Sequence, residues 1–254
     1  MKYVGQYTKE ISFPLGGIGT GSIGLGGDAR LIDWEIFNRP SKGSVNGYSH
    51  FAIKATNGEN SITRVLHGDT NESLMGEPCS SKGHHGFGYG PKTNSMAGFP
   101  HFRQVVFEGS YPVAKLTFSD PEFPATVKLC AFNPFIPHDD FNSSIPAAFF
   151  EWEIENTSDE EIEFAVSCAM RNPAKKTYNK EVFVDKMKGV YLGSGETEED
   201  DIEYSDMCVL TDGDDIVAQE YWYRGKWQDG VTTYWKNLSE NRRMPKRHYD
   251  EISK

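Results

Sequence analysis

The chain has no run of eighteen apolar residues, no apolar leader behind its N-terminal MKYVGQYTKE, and no C-x-x-C pair. The first two absences argue against a helical membrane span and a secretion signal. The third argues against a dithiol metal or redox motif among the four cysteines at 79, 130, 168 and 208. Cys130 and Cys168 are then expected as small core residues of strands, reduced, in a cytoplasmic setting. Basic charge is scarce as well. Lys and Arg total 26 against 37 Asp and Glu, a net charge of −11 that repels phosphate backbones, so nucleic acid is not an expected partner. Long apolar stripes of 3.6-residue period are missing too, which leaves little room for helix.

What the chain does have is aromatic residues, glycine and period-two alternation. In Phe150-Glu151-Trp152-Glu153-Ile154-Glu155 the apolar and acidic side chains take opposite faces, as in a half-buried strand. Glu161 to Met170 is expected to pair with it as a hairpin across Asn156-Thr-Ser-Asp-Glu160. Phe51 to Thr56 and Ile62 to Leu66 form a second expected hairpin across Asn57-Gly58. Further strands are expected at 104–108, 114–118, 125–132, 181–185, 190–192, 207–211 and 216–220. Short strands at this spacing predict an all-β fold, a two-sheet antiparallel β-sandwich with long loops and little helix. The expected domain is 1–235, followed by a polar, basic segment over 236–254. Glu72 to Pro100 is too long for a casual connection and is expected to be a lid or docking loop.

The densest feature is Phe13 to Gly27, FPLGGIGTGSIGLGG, with seven glycines between 16 and 27. Gly19 to Gly24 satisfies G-x-G-x-x-G, but a dinucleotide turn needs a buried strand before it and a helix after it. Pro14 and Gly16-Gly17 occupy the would-be strand end, and Gly26-Gly27 would break the helix in its first turn. The glycines are better read as bends and bulges of a twisted sheet, and no cofactor is expected.

Carboxylates that could serve as a hydrolytic pair are plentiful, but Glu151, Glu153 and Glu155 share the outward face of one strand. The acidic run from Glu196 to Glu203 lacks the calcium-loop pattern. The adjacent His84-His85 cannot easily aim both rings at one ion, so no metal site is expected. His138-Asp139-Asp140, behind Pro137, is either a rigid corner presenting an imidazole or a loop hydrogen-bonded to its own backbone. Tyr221-Trp222-Tyr223, Trp227 and Tyr234-Trp235 offer flat rings for sugar contact or for packing.

Taken together, FPLGGIGTGSIGLGG, the following DWEIFNRP (33–40), GSYPVAKLTF (109–118), PFIPHDDFNSSIP (134–146) and FEWEIEN (150–156) resemble the N-terminal domain of glycoside hydrolase family 116. That family includes the non-lysosomal glucosylceramidase, also called bile-acid β-glucosidase, and bacterial β-glucosidases. The resemblance implies a β-sandwich preceding an (α/α)6 catalytic barrel, which would be this chain's principal partner, with a β-glucoside as substrate of the whole enzyme. In the family a glutamate nucleophile and an aspartate acid/base lie in the barrel, and neither motif has a counterpart here. No catalytic residue is therefore expected, and Trp34 and His138 are the candidates for edging the substrate cleft. The competing expectations are an autonomous carbohydrate-binding module, which would bind glucosides unaided, and a complete small hydrolase, which would turn them over.

Overall fold

The computed structural model describes residues 1–69, 91–225 and 229–250. The strands are β1 (Lys2–Val4), β2 (Ser12–Leu15), β3 (Ser22–Gly26), β4 (Leu31–Glu35), β5 (His50–Asn57), β6 (Asn60–Val65), β7 (Gln104–Ser110), β8 (Val113–Ser119), β9 (Ala125–Phe132), β10 (Phe149–Asn156), β11 (Glu163–Ala169), β12 (Thr177–Val184), β13 (Met187–Ser194) and β14 (Asp206–Thr211). Two α-helices join them, α1 (Asp140–Ser143) and α2 (Gly230–Glu240). The fold is all-β, every pairing between these strands is antiparallel, and no helix among the described residues is long and apolar enough to cross a membrane.

The chain divides into two compact units, Met1–Ala169 and Met170–Lys254. In the first, β1-β7-β8-β9-β10 form a five-stranded sheet, β11-β5-β6 a three-stranded sheet and β2-β3-β4 another. β9 alternates buried and half-buried side chains along its whole length, the mark of a strand with one face in a core. Phe150 and Trp152 of the large sheet meet Phe51 of β5 at ring distances of 5.0 and 5.2 Å, and Phe118 lies 6.1 Å from Trp152 within the large sheet. These rings fill the layer between two facing sheets, which is sandwich packing. Arg64 of β6 is buried in that unit and pairs with Asp120 at 3.0 Å.

Several expectations hold residue for residue. β5 and β6 form the hairpin at Asn57-Gly58, with Gly58 at φ +59. Glu151, Glu153 and Glu155 are exposed on β10, and Glu153 and Glu155 reach Lys128 on β9 at 2.8 and 3.6 Å. The expected hairpin of β10 with β11 does not form. β10 pairs with β9 from Phe149↔Phe132 to Asn156↔Ala125, and β11 pairs with β5 in the other sheet. The turn at 156–160 carries the chain from one layer to the next, because β10 already has a full-length partner in β9. Cys130 is half-buried; Cys168 on β11, opposite Phe51, is exposed by area, yet burial pushes its thiol up to about 12; neither these nor Cys208 form a disulfide. The segment around Glu72, including Cys79 and His84-His85, lies outside the described residues over 70–90, as does Trp227.

In the second unit β12-β13-β14 form a meander. Residues 216–220 were expected as a strand and are not one. They run beside β12, whose amides are met by side chains instead: Glu181 N–H donates to Glu220 Oε1 at 2.9 Å and Asn179 N–H to the Tyr221 hydroxyl at 2.8 Å. Lys236, where the polar, basic segment was expected to begin, lies inside α2.

Candidate functional site

The glycine-rich segment is built as β2, a turn over 16–21, and the β3-β4 hairpin. β3 carries a register shift between Ser22 and Gly24, the bulge expected from its glycines. The turn is wedged between two other segments. A Cβ on Gly17 would run into the carbonyls of Ser144 and Ile145 and the Thr20 hydroxyl, and one on Gly21 would lie 3.0 Å from the Glu35 carbonyl. Ile18 N–H donates to the Ser143 carbonyl at 2.9 Å, and the Thr20 hydroxyl to the Ser144 carbonyl at 2.9 Å. FPLGGIGTGSIGLGG, DWEIFNRP and PFIPHDDFNSSIP therefore converge in space, on backbone contacts that no side chain larger than hydrogen at 17 would permit.

His138 stands on this surface. It is exposed, with φ +67, and lines a shallow open hollow with Ile18, Phe135, Ile136, Asp139 and Ser143. The corner beneath is hydrogen-bonded to itself: Asp139 caps α1 by accepting from Asn142 N–H at 3.0 Å, and the buried Ser143 hydroxyl donates to the Ile136 carbonyl at 3.1 Å. Asn142 holds the Asp139 carboxyl below the usual carboxylate range through its side chain and its backbone. The corner is a loop hydrogen-bonded to itself, with His138 exposed on it. Around it Ile18, Ile136, Phe141 and Ile145 are exposed, Phe141 at 82%.

Trp34 is placed differently. It is 7% exposed, and its indole Nε1–H donates to the Leu31 carbonyl at 3.4 Å. Its neighbours Asp33 and Glu35 form a polar knot that composition and spacing did not single out. Asp33 has φ +49, unusual for a non-glycine residue. Its carboxylate accepts from the Ser12 hydroxyl at 2.6 Å and from Gly43 N–H at 2.6 Å, and Lys42 lies 2.8 Å from Glu35 and 3.6 Å from Asp33. Burial works against ionisation of Asp33, but Ser12, Gly43 and Lys42 outweigh it and hold the carboxyl low. Glu35 is held low by Lys42 and the Ser41 amide. Both are locked anions, the opposite of a general acid, which needs its pKa raised. The available sequence signal was Asp33, Glu35 and Lys42 bracketing a turn with Pro40 and Gly43.

The aromatic residues near the C-terminus pack on one another. Trp222 stacks on Tyr234 at 4.5 Å, and the Arg224 guanidinium lies 4.3 and 4.5 Å from the rings of Tyr221 and Tyr249. Among the described residues no group of three His, Cys, Asp or Glu side chains is gathered as metal ligands.

The glycine turn thus lies between antiparallel strands, with no helix opening at its last glycine as a dinucleotide turn requires. The family model for the N-terminal domain of glycosyl hydrolase family 116, beta-glucosidase 2, matches residues 12–254, and the chain belongs to that family.

Proposed function

We propose that this chain is the non-catalytic N-terminal portion of a retaining β-glucosidase, of the glucosylceramidase-like kind, that supports the catalytic barrel and edges its substrate cleft. The observation that carries this reading is the convergence of three motif segments beside one exposed apolar surface. Such a surface suits docking onto another domain better than bond cleavage. Ile18, Ile136, Phe141 and Ile145 are the docking residues, and the partner is the C-terminal catalytic domain of the same enzyme. His138 is the cleft-edge candidate. Trp34 serves from below, by fixing the strand that carries Asp33 and Glu35. The free thiols of Cys130, Cys168 and Cys208 support a reducing, cytoplasmic location.

The purified chain is expected to leave an aryl β-glucoside intact. Joined to the catalytic region, Ile136→Asp with Ile18→Asp should lower turnover and the thermal midpoint of the assembled enzyme while the chain keeps its own fold. Turnover by the chain alone that a single carboxylate substitution abolishes would overturn the reading in favour of a small hydrolase. Saturable quenching of tryptophan fluorescence by glucosides would favour the carbohydrate-binding module.

A further inference from the structure

Three of the seven histidines form a chain of edge-on rings inside the first unit. His50 opens β5, His67 lies two residues beyond β6, and His101 bridges Val65. The ring centroids are 6.4 Å apart for His50–His67 and 5.9 Å for His67–His101. His50 is 0% and His67 1% exposed. His50 Nδ1 faces the Tyr48 carbonyl at 2.6 Å and His101 Nε2 the Met96 carbonyl at 3.2 Å, so each of these nitrogens carries the proton and donates it. For His67 neither ring nitrogen makes a well-formed hydrogen bond among the described residues, and the Ser95 backbone is its polar neighbour.

The cluster sits at a joint. Gly68 N–H donates to the Asp28 carbonyl at 2.9 Å, Phe102 N–H to the His67 carbonyl at 3.1 Å, and Asn94 Nδ2 to the Leu31 carbonyl at 3.1 Å. These bonds fasten the β3-β4 turn, and with it the glycine-rich sheet, to the exit of β6 and to the 91–103 segment. The charged groups facing the cluster are Arg30 and Asp28 on that turn and Asp69 beyond His67. Arg30 already holds Asp28 in a buried pair at 2.6 Å. A second positive charge on His67 would stand near Arg30, with Asp28 already engaged.

We propose that the His50–His67–His101 cluster is a proton-operated release for the β3-β4 turn: the neutral rings keep the joint closed, and charging them opens it while the five-stranded sheet stays paired. This is independent of the glucosidase reading. Burial pushes His50 down to about 4, and burial also lowers His67, far below the usual range, and His101. All three folded values lie below the ordinary 6.5, so the unfolded or opened chain binds more protons, and the closed joint is favoured fully above about pH 6.5 and progressively less as pH falls toward the folded values.

Amide hydrogen exchange on the intact chain at pH 7 and pH 5, corrected for intrinsic rates, tests this. Protection at Gly68 and Phe102 should fall about tenfold relative to Phe118 and Leu129, and His67→Gln, which cannot take up the proton, should abolish most of that change. An unchanged ratio, or an equal loss across β8 and β9, overturns the proposal. Should His67→Gln not fold, a carbon-13 titration of labelled imidazoles in the unsubstituted chain decides. Three rings neutral at pH 5 support the proposal, and a His67 that charges above pH 6 refutes it.

Discussion

The five-stranded sheet and the glycine-rich sheet of the first unit both bury apolar side chains but differ in what else holds them. In β8 and β9 alternate side chains enter the core, with Leu116, Phe118, Val127 and Leu129 at 2% exposure or less, and burial supplies the stabilisation. In β2, β3 and β4 the important groups are often missing ones. Gly16, Gly17 and Gly21 let backbone approach backbone, and a polar knot at Asp33 adds to the buried Phe13, Leu15, Leu25 and Leu31. The first design tolerates exchange of outward residues, whereas the second leaves little freedom at the positions in contact.

The largest effect should come from hollowing the side-chain-built sheet. Phe118→Ala removes a fully buried ring and is expected to cost about 3–5 kcal/mol in urea denaturation. Next is Gly17→Ala, where even a methyl group meets two carbonyls; about 2–3 kcal/mol is expected by the same measurement. Gly19→Ala separates sterics from conformation within the same turn. A Cβ there meets nothing, but φ is +75, so about 1 kcal/mol is expected. Equal costs at 17 and 19 would mean that the wedge against Ser144 contributes nothing.

A smaller effect should appear as a pH dependence. The folded Asp33 carboxyl lies below its ordinary 3.8, so its contribution is present above that value and is lost as pH falls through the folded one. Asp33→Asn should flatten the stability profile below about pH 4 and leave its slope near neutrality unchanged, as followed by circular dichroism. Smallest of all, Ile136→Ser on the exposed rim should shift stability by no more than about 0.5 kcal/mol. A larger loss would show that this rim is part of the core.

Legibility in the sequence follows the same division. β7 to β10 announce themselves because side chains alternating every two residues leave a trace in the residue order. β2 to β4 leave a weaker trace, since they are only four or five residues long and β3 is broken by glycine, and what the sequence marked there was the need for unusual backbone. The β10-β11 hairpin was misjudged because a short turn favours local pairing, whereas full-length pairing of β10 with β9 decided the matter. α2 did leave a trace that went unread: Val231, Tyr234, Trp235 and Leu238 fall at i, i+3, i+4 and i+7, and Tyr234 and Leu238 are buried. The His138 corner was visible through Pro137 and its adjoining acids. Its meeting with Thr20 was not, because no local pattern encodes a contact between residues so far apart.

That contact has a kinetic consequence. The Thr20–Ser144 hydrogen bond closes a span of 124 residues. On a ribosome the glycine turn emerges well before its seat, which lies 124 residues further along the chain. Ordering it must await closure of that long loop, whose entropic toll is met late. A nascent chain arrested before residue 144 would therefore present these glycines without the surface they rest on, and chaperones acting on unfinished polypeptide have a natural target there.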